Sequence, residues 1–239
     1  MPIRYDRENT MKHGKNYRAI AEKVDAGMLY AFDEAVTIMK ANAKAKFDES
    51  VEVHVRLNTN PKKNDEQVRA TVILPHGTGR SKKVAVVTMT KEREARDAGA
   101  DIVGGDDVIA DIKTGKIVPG VHFDALIATP EMMPKLAPVA KVLGPKGMMP
   151  SPKTETVTPK VGETVDAMKK GKKVSYKNDD SANLHQSIGK LSFTVEQLKA
   201  NFDVFLESLQ KAKPENYKGK VVRGMTVCST MGPSMRLKA

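Results

Sequence analysis

Lys46 and Phe47 stand side by side in the run KFDES, with Ser50 three positions on and an alternating apolar run beyond. An aromatic ring beside a lysine at a strand edge suits stacking on a nucleotide and meeting its phosphate. Taken alone, Phe47 reads first as an ordinary core residue. A second set lies near the C-terminus, where Ser229, Thr230, Met231, Gly232, Pro233 and Ser234 follow one another. Gly232 and Pro233 would end a strand. The hydroxyls and Met231 beside them are not needed for that. Small hydroxyls and open backbone amides read ribose 2′-OH groups, and glycine lets a ligand approach the backbone closely. A third set is His185 and Lys190 in LHQSIGK. A lone histidine without partners at metal-ligand spacing is more often structural than a ligand. Lys190, like Lys177, suits a phosphate contact or a solvated surface.

Catalytic patterns are missing. PHGTGRSK, residues 75–82, has one residue between its glycines; a phosphate loop needs four before its Gly-Lys-Ser/Thr end. No G-x-G-x-x-G follows a strand, and neither G-x-S-x-G nor H-E-x-x-H occurs. Cys228 has no histidine near it in sequence, which leaves a spatial pairing open. Asp101, Asp106, Asp107 and Asp111 imitate a metal cluster, but helix-dipole and solvation roles explain them more simply. The expectation is no catalytic residue, no metal and no cofactor, hence no enzyme. The competing reading is a nucleotide-binding α/β enzyme with a basic accessory domain.

The 239 residues carry a net charge of +11 and are 40 % apolar, enough for one large domain or two ordinary ones. Such a charge favours polyanions, and no basic amphipathic helix with bulky aromatics points to a membrane. No run of about eighteen apolar residues occurs. The N-terminus lacks the apolar core of a secretory signal. A single cysteine excludes an internal disulfide, so a reducing, cytoplasmic setting is expected. The charge is uneven. Residues 84–140 hold six Lys/Arg against nine Asp/Glu, which leaves +14 on the rest.

The same 84–140 segment alternates between strand and helix patterns. Strands are predicted at 84–88, 101–103 and 123–128. Helices are predicted at 91–98 and 106–113, with a proline-interrupted one at 130–142. That order implies a parallel sheet covered by helices. Outside it, Val51, Val53, Val55 and Leu57 alternate with polar residues, as in a strand with one wet face. Residues 68–74 resemble its partner strand across a polar connection at 58–66. A helix is expected over 33–46, a short one over 163–170 and a strand over 173–177. The longest helix opens at Thr194, which forms a capping box with Gln197. Val195, Leu198, Phe202, Phe205, Leu206 and Leu209 make its apolar stripe. A last strand is predicted over 221–230. The stretch 143–158, LGPKGMMPSPKTETVT, is stiffened by Pro145, Pro150 and Pro152 and weighted by Leu143, Met148 and Met149. It reads as a rigid, partly buried crossover.

Neither flank looks self-sufficient. The economical arrangement is an α+β discontinuous RNA-binding domain built from both chain ends, residues 1–76 and 159–239. An inserted α/β Rossmann-like three-layer domain fills 77–158. Two connections restrict the insert to hinge motion. Gly77, Gly79, Pro152 and Glu155 are the hinge candidates.

These motifs together resemble the L-one family of large-subunit ribosomal proteins. KHGKNYR, KFDESVEVHVRL, TVILPHGTG, LGPKGMMPSPKTETVT, HQSIGK and STMGPS fall in that family's order, from residue 12 to residue 234. The resemblance implies a two-domain protein with a Rossmann-like insert. It places Lys46 and Phe47 on the RNA-facing surface, the TMGP turn directly on RNA, and His185 with Gly189-Lys190 nearby. It also implies binding to large-subunit ribosomal RNA at a mobile stalk near the exit site and help in releasing deacylated tRNA. Repression of the protein's own operon mRNA is a further implication. The expected partners are that rRNA, that mRNA, exit-site tRNA and the ribosome, with the protein monomeric off the ribosome. Departures from the family pattern are Ala70 and Glu155, where glycine is usual, and Gln186-Ser187, where Ala-Pro is common.

Overall fold

A computed structural model describes residues 14–25, 27–61, 63, 66–213 and 219–238. Residues 12 and 13 of KHGKNYR, and 62, 64 and 65 of the polar connection, lie outside them. The elements in chain order begin with α1 (Lys15–Ala21), β1 (Leu29–Tyr30), α2 (Phe32–Asn42), β2 (Ser50–Leu57) and β3 (Arg69–Ile73). Next come β4 (Val84–Val87), α3 (Glu92–Asp97), β5 (Ile102–Gly104), α4 (Asp106–Thr114), β6 (Ala125–Ala128), α5 (Met133–Leu136) and α6 (Ala140–Leu143). The chain closes with α7 (Val161–Lys169), β7 (Lys173–Lys177), β8 (Asn183–Lys190), α8 (Val195–Lys211), β9 (Val222–Ser229) and β10 (Met235–Leu237).

The alternation in β2 does what its period requires. Val51, Val53, Val55 and Leu57 are buried, while Ser50, Glu52, His54 and Arg56 face outward. The strand lies between β9 and the edge strand β8 in a five-stranded sheet ordered β1-β10-β9-β2-β8. Helices α2 and α8 cover its inner face. Phe32 stacks on Phe202 with ring centroids 4.3 Å apart. The predicted stripe of α8 is buried at Leu198, Phe202, Phe205 and Leu209, each such side chain contributing about 1.5–3 kcal/mol. Its capping box forms: Gln197 N–H donates to the Thr194 hydroxyl at 3.2 Å, and Thr194 N–H to Gln197 Oε1 at 3.0 Å.

Two expectations about strands need correction, and one strand had no expectation at all. The predicted partner strand, β3, pairs antiparallel with β7 and not with β2, because β8 and β9 occupy both edges of β2. Residues 183–190 form a full strand, β8. The strand ending in STMGPS is not the last, since residues 230–234 turn the chain into β10, which returns antiparallel to β9.

The 84–140 segment builds a parallel sheet ordered β5-β4-β6. Ala85 and Val87 face one core with Ile112, Phe123, Leu136 and Leu143. Val84 and Val86 face a second core with Ala95, Ile127, Val161 and Val165. Helix α7 therefore packs on this sheet. The proline-interrupted helix breaks into α5, α6 and two 3-10 turns, because Pro134 and Pro138 supply no N–H. Gly115, at φ 81°, ends α4. The crossover packs Leu143, Met148 and Met149 into the first core and bridges Val157 to Ala128. The fold is mixed α/β with several sheets. The largest core draws on residues 30–74 and 174–237.

Candidate nucleic-acid interface

The end of β2 and the turn after β9 are brought together from opposite ends of the chain. Ser50 N–H donates to the Thr230 hydroxyl at 2.9 Å, and Thr230 N–H donates to the Ser50 carbonyl at 3.1 Å. One residue further out, Met231 N–H donates to the Glu49 carboxylate at 3.1 Å. That carboxylate is only 3 % exposed. Gly232 N–H closes the turn onto the Ser229 carbonyl at 3.2 Å. A Cβ on Gly232 would come within 2.6 Å of the Ser229 hydroxyl, so glycine suits this corner.

Lys190, on β8, joins from the other side. Its ammonium donates to the Ser50 hydroxyl at 2.8 Å and to the Asp48 carbonyl at 3.3 Å. Asp48 accepts from the Ser192 N–H and hydroxyl. Out of this lattice project two apolar side chains, Phe47 at 56 % and Met231 at 60 % exposure. Lys46, Thr230 and Ser234 are also exposed, while Ser229 and Pro233 are buried and shape the turn. Phe47 and Met231 share an apolar pocket of about 600 Å³ with Tyr17, Ile20, Met39 and Met235. The arrangement offers an aromatic and a thioether face, cations and hydroxyls within one surface.

His185 lies elsewhere on the sheet, opposite His54 on β2. The two Nδ1 atoms are 2.7 Å apart, so one ring donates and the other accepts. His54 Nε2 also lies 3.2 Å from Cys228 Sγ. Burial chiefly, then the charge of His185, pushes His54 below the ordinary 6.5, against a smaller opposing pull from Glu52. Burial chiefly, then Glu52, pushes the Cys228 thiol up. The pair is thus a neutral thiol beside a neutral imidazole. A nucleophilic cysteine needs the opposite shift. Asp179 accepts from the Asn183 and Ser181 N–H groups, which hold it below the usual carboxylate range, and approaches His185 Nε2 at 3.7 Å.

The hinge candidates separate. Gly77 and Gly79 have φ of 68° and 71° and lie where residues 75–80 cross residues 170–172. A Cβ on Gly77 would come within 2.8 Å of the Lys170 carbonyl, and one on Gly171 within 2.4 Å of the Arg80 carbonyl. The buried Asn201 amide ties this crossing to the long helix. It donates to the Gly77 and Ile188 carbonyls at 2.9 and 2.8 Å and accepts from His76 N–H at 3.1 Å. Pro152 and Glu155 lie on a 3-10 turn against β3 and β7. Glu155 has φ 49°, and its carboxylate pairs with Lys173 at 2.8 Å.

Asp106, Asp111 and Asp101 are taken up by Lys135, Lys116 and Lys169. Among the described residues no three His, Cys, Asp or Glu converge as metal ligands, and no helix is long and apolar enough to cross a membrane.

Sequence reading missed Glu49 and Asn201. Asn201 had a signal, since helical period places it on the apolar face between Leu198 and Phe205. Glu49 had none, because only the distant turn gives its carboxylate a partner.

Residues 39–233 match the model of the ribosomal protein L1p/L10e family. The chain belongs to this family. Its relatives include proteins described as large ribosomal subunit protein uL1. That of Cutibacterium acnes is 47 % identical over 228 residues, covering 95 % of this chain and 96 % of its own. That of Mesoplasma florum is 44 % identical over 227 residues, covering 95 % and 98 %. That of Thermus thermophilus is 43 % identical over 228 residues, covering 95 % and 97 %. The L1p/L10e match includes both halves of the interlocked turn, KFDES and residues 229–233.

Proposed function

We propose that this protein is a constituent of the large ribosomal subunit that binds large-subunit ribosomal RNA through residues 46–50 and the turn 229–234. The observation that carries this is the interlock of Glu49 with Met231 and of Ser50 with Thr230. It spends a buried carboxylate on presenting Phe47 and Met231 to solvent. Exposed apolar side chains ringed by cations and hydroxyls mark a binding surface. The net charge of +11 and the uL1 description of the relatives support an RNA partner. The contacts proposed are Lys46, Phe47, Ser50, Lys190, Thr230, Met231, Gly232 and Ser234, with Ser229 and Pro233 shaping the turn and His185 further along.

The proposal extends to a stalk near the tRNA exit site, release of deacylated tRNA, and repression of the protein's own operon mRNA through a like RNA structure. It holds the protein to be a cytoplasmic, non-enzymatic monomer when off the ribosome. It also takes the chain as two domains, with residues 77–158 inserted between 1–76 and 159–239. The packing of α7 on the parallel sheet supports moving that helix with the insert. The hinge is then the crossing of Gly77 and Gly79 with Gly171, and Glu155 braces it.

The test compares stalk rRNA with an unrelated hairpin of equal length at one physiological salt concentration. Much tighter binding to the stalk RNA, falling steeply with salt, is expected. Equal affinities would remove the proposal.

A further inference from the structure

The outer face of the five-stranded sheet carries a second cluster that the turn does not use. Along β2, Ser50, Glu52, His54 and Arg56 point outward in succession. Ser50 belongs to the interlocked turn, and Arg56 lies six residues away, about 20 Å along the strand. There a groove of about 550 Å³ runs across β10, β9, β2 and β8, edged by Arg56, Arg223 and Arg236. All three arginines are exposed. None makes an ion pair or a side-chain hydrogen bond among the described residues, whereas Lys91, Arg96, Lys116 and Lys135 of the parallel-sheet segment, and Lys169 of α7 packed on it, each have a carboxylate partner. The groove's floor is open at Gly224, where a Cβ would meet nothing within 4 Å. Asn183 and Thr226 add polar groups. Nearby acids are Glu52, Asp179, which is occupied by backbone N–H groups, and Asp180, which lines an adjoining depression with Arg56 and Arg223.

We propose that this arginine groove is a second RNA subsite, taking backbone phosphates of the same RNA that the turn 229–234 holds. The inference rests on the RNA-binding reading above. Three unpaired guanidinium forks suit phosphate oxygens, which they meet through two parallel N–H bonds. The outward row of β2 joins the two sites on one sheet face, with His54 and His185 between them. The groove is therefore reached only by an RNA extending about 20 Å past the turn.

The experiment uses the full chain and two stalk RNAs, one reaching that far and one truncated short of it. Affinity is measured from 50 to 200 mM salt. The Arg56→Gln/Arg236→Gln double variant should weaken the long RNA roughly tenfold and reduce its salt slope by about 1.4–1.8. The short RNA should be unaffected. Gly224→Leu, which fills the floor without changing charge, should also weaken only the long RNA. Unchanged affinity and slope for the long RNA, with melting temperatures intact, overturns the groove, including in favour of an acidic protein as its partner. Equal loss for both RNAs also overturns it. If wild-type protein fails to prefer either stalk RNA to a control hairpin, the underlying RNA-binding reading fails instead.

Discussion

The Glu49 carboxylate and the Met231 N–H meet at 3.1 Å across 182 positions of sequence. A carboxylate so buried would be costly without a partner. Its partner is the backbone of Met231, whose side chain is exposed. The contact fixes where Met231 points.

Glu49→Ala should leave the Met231 N–H unpaired and lower stability by about 1–3 kcal/mol, with a matching loss of RNA affinity as the turn loosens. Glu49→Gln keeps an acceptor oxygen and should lie much closer to wild type. Urea unfolding of both variants checks this. Equal stability of the Ala variant and wild type would show that the bond does not hold the turn.

Glu155 occupies a left-handed backbone position, φ 49°, that a glycine adopts without strain. Its carboxylate, 66 % exposed, pairs with a Lys173 side chain that is 6 % exposed. Glu155→Ala keeps the strain and loses the ion pair, and Glu155→Gly loses both. The Gly variant should therefore be more stable than the Ala variant by about 1 kcal/mol. Thermal melts decide it, and the reverse order would mean that the backbone there carries no strain.

His54 titrates below its ordinary 6.5, chiefly through burial. Between its folded value and 6.5 the unfolded chain holds more protons than the folded one, so folding stability rises with pH across that window. It is fully present above 6.5 and is lost as pH falls through the window. His54→Gln should flatten this stretch of the stability profile. A variant with the wild-type slope would assign the dependence to another group. The raised Cys228 thiol should react slowly with a thiol reagent at pH 7 and faster as pH rises.

Sequence and structure agree where local chemistry is strong. Alternation gave β2, the capping box gave α8, and the strand-helix order gave the parallel sheet. They part where partners are distant or the pattern is weak. In LHQSIGK the inward-facing Leu184 and Ile188 are separated by the polar Gln186, and the ladder then slips between Val51 and Glu52, so the apolar alternation is broken. Its strand is therefore invisible to alternation. Strand β10 is three residues long and follows Gly-Pro, so it reads as a tail. The contacts of His54 with His185 and Cys228 span 131 and 174 positions, and nothing local announces them. The types of the interface residues were legible. What sequence could not supply was that the Thr230 hydroxyl is already engaged by Ser50, so its removal would disturb the turn as well as any ligand.

Met231 gives the cleanest test of the central claim that the turn 229–234 and residues 46–50 hold RNA. Its side chain is exposed, so Met231→Ala should shift stability by less than about 0.5 kcal/mol. The decisive measurement is the Kd of this variant for stalk ribosomal RNA, with the melting temperature recorded on the same sample. The account predicts a loss of about 1–3 kcal/mol, roughly five- to over a hundredfold in affinity, at an unchanged melting temperature and an unchanged salt slope. Wild-type affinity in a normally folded Met231→Ala protein would contradict it.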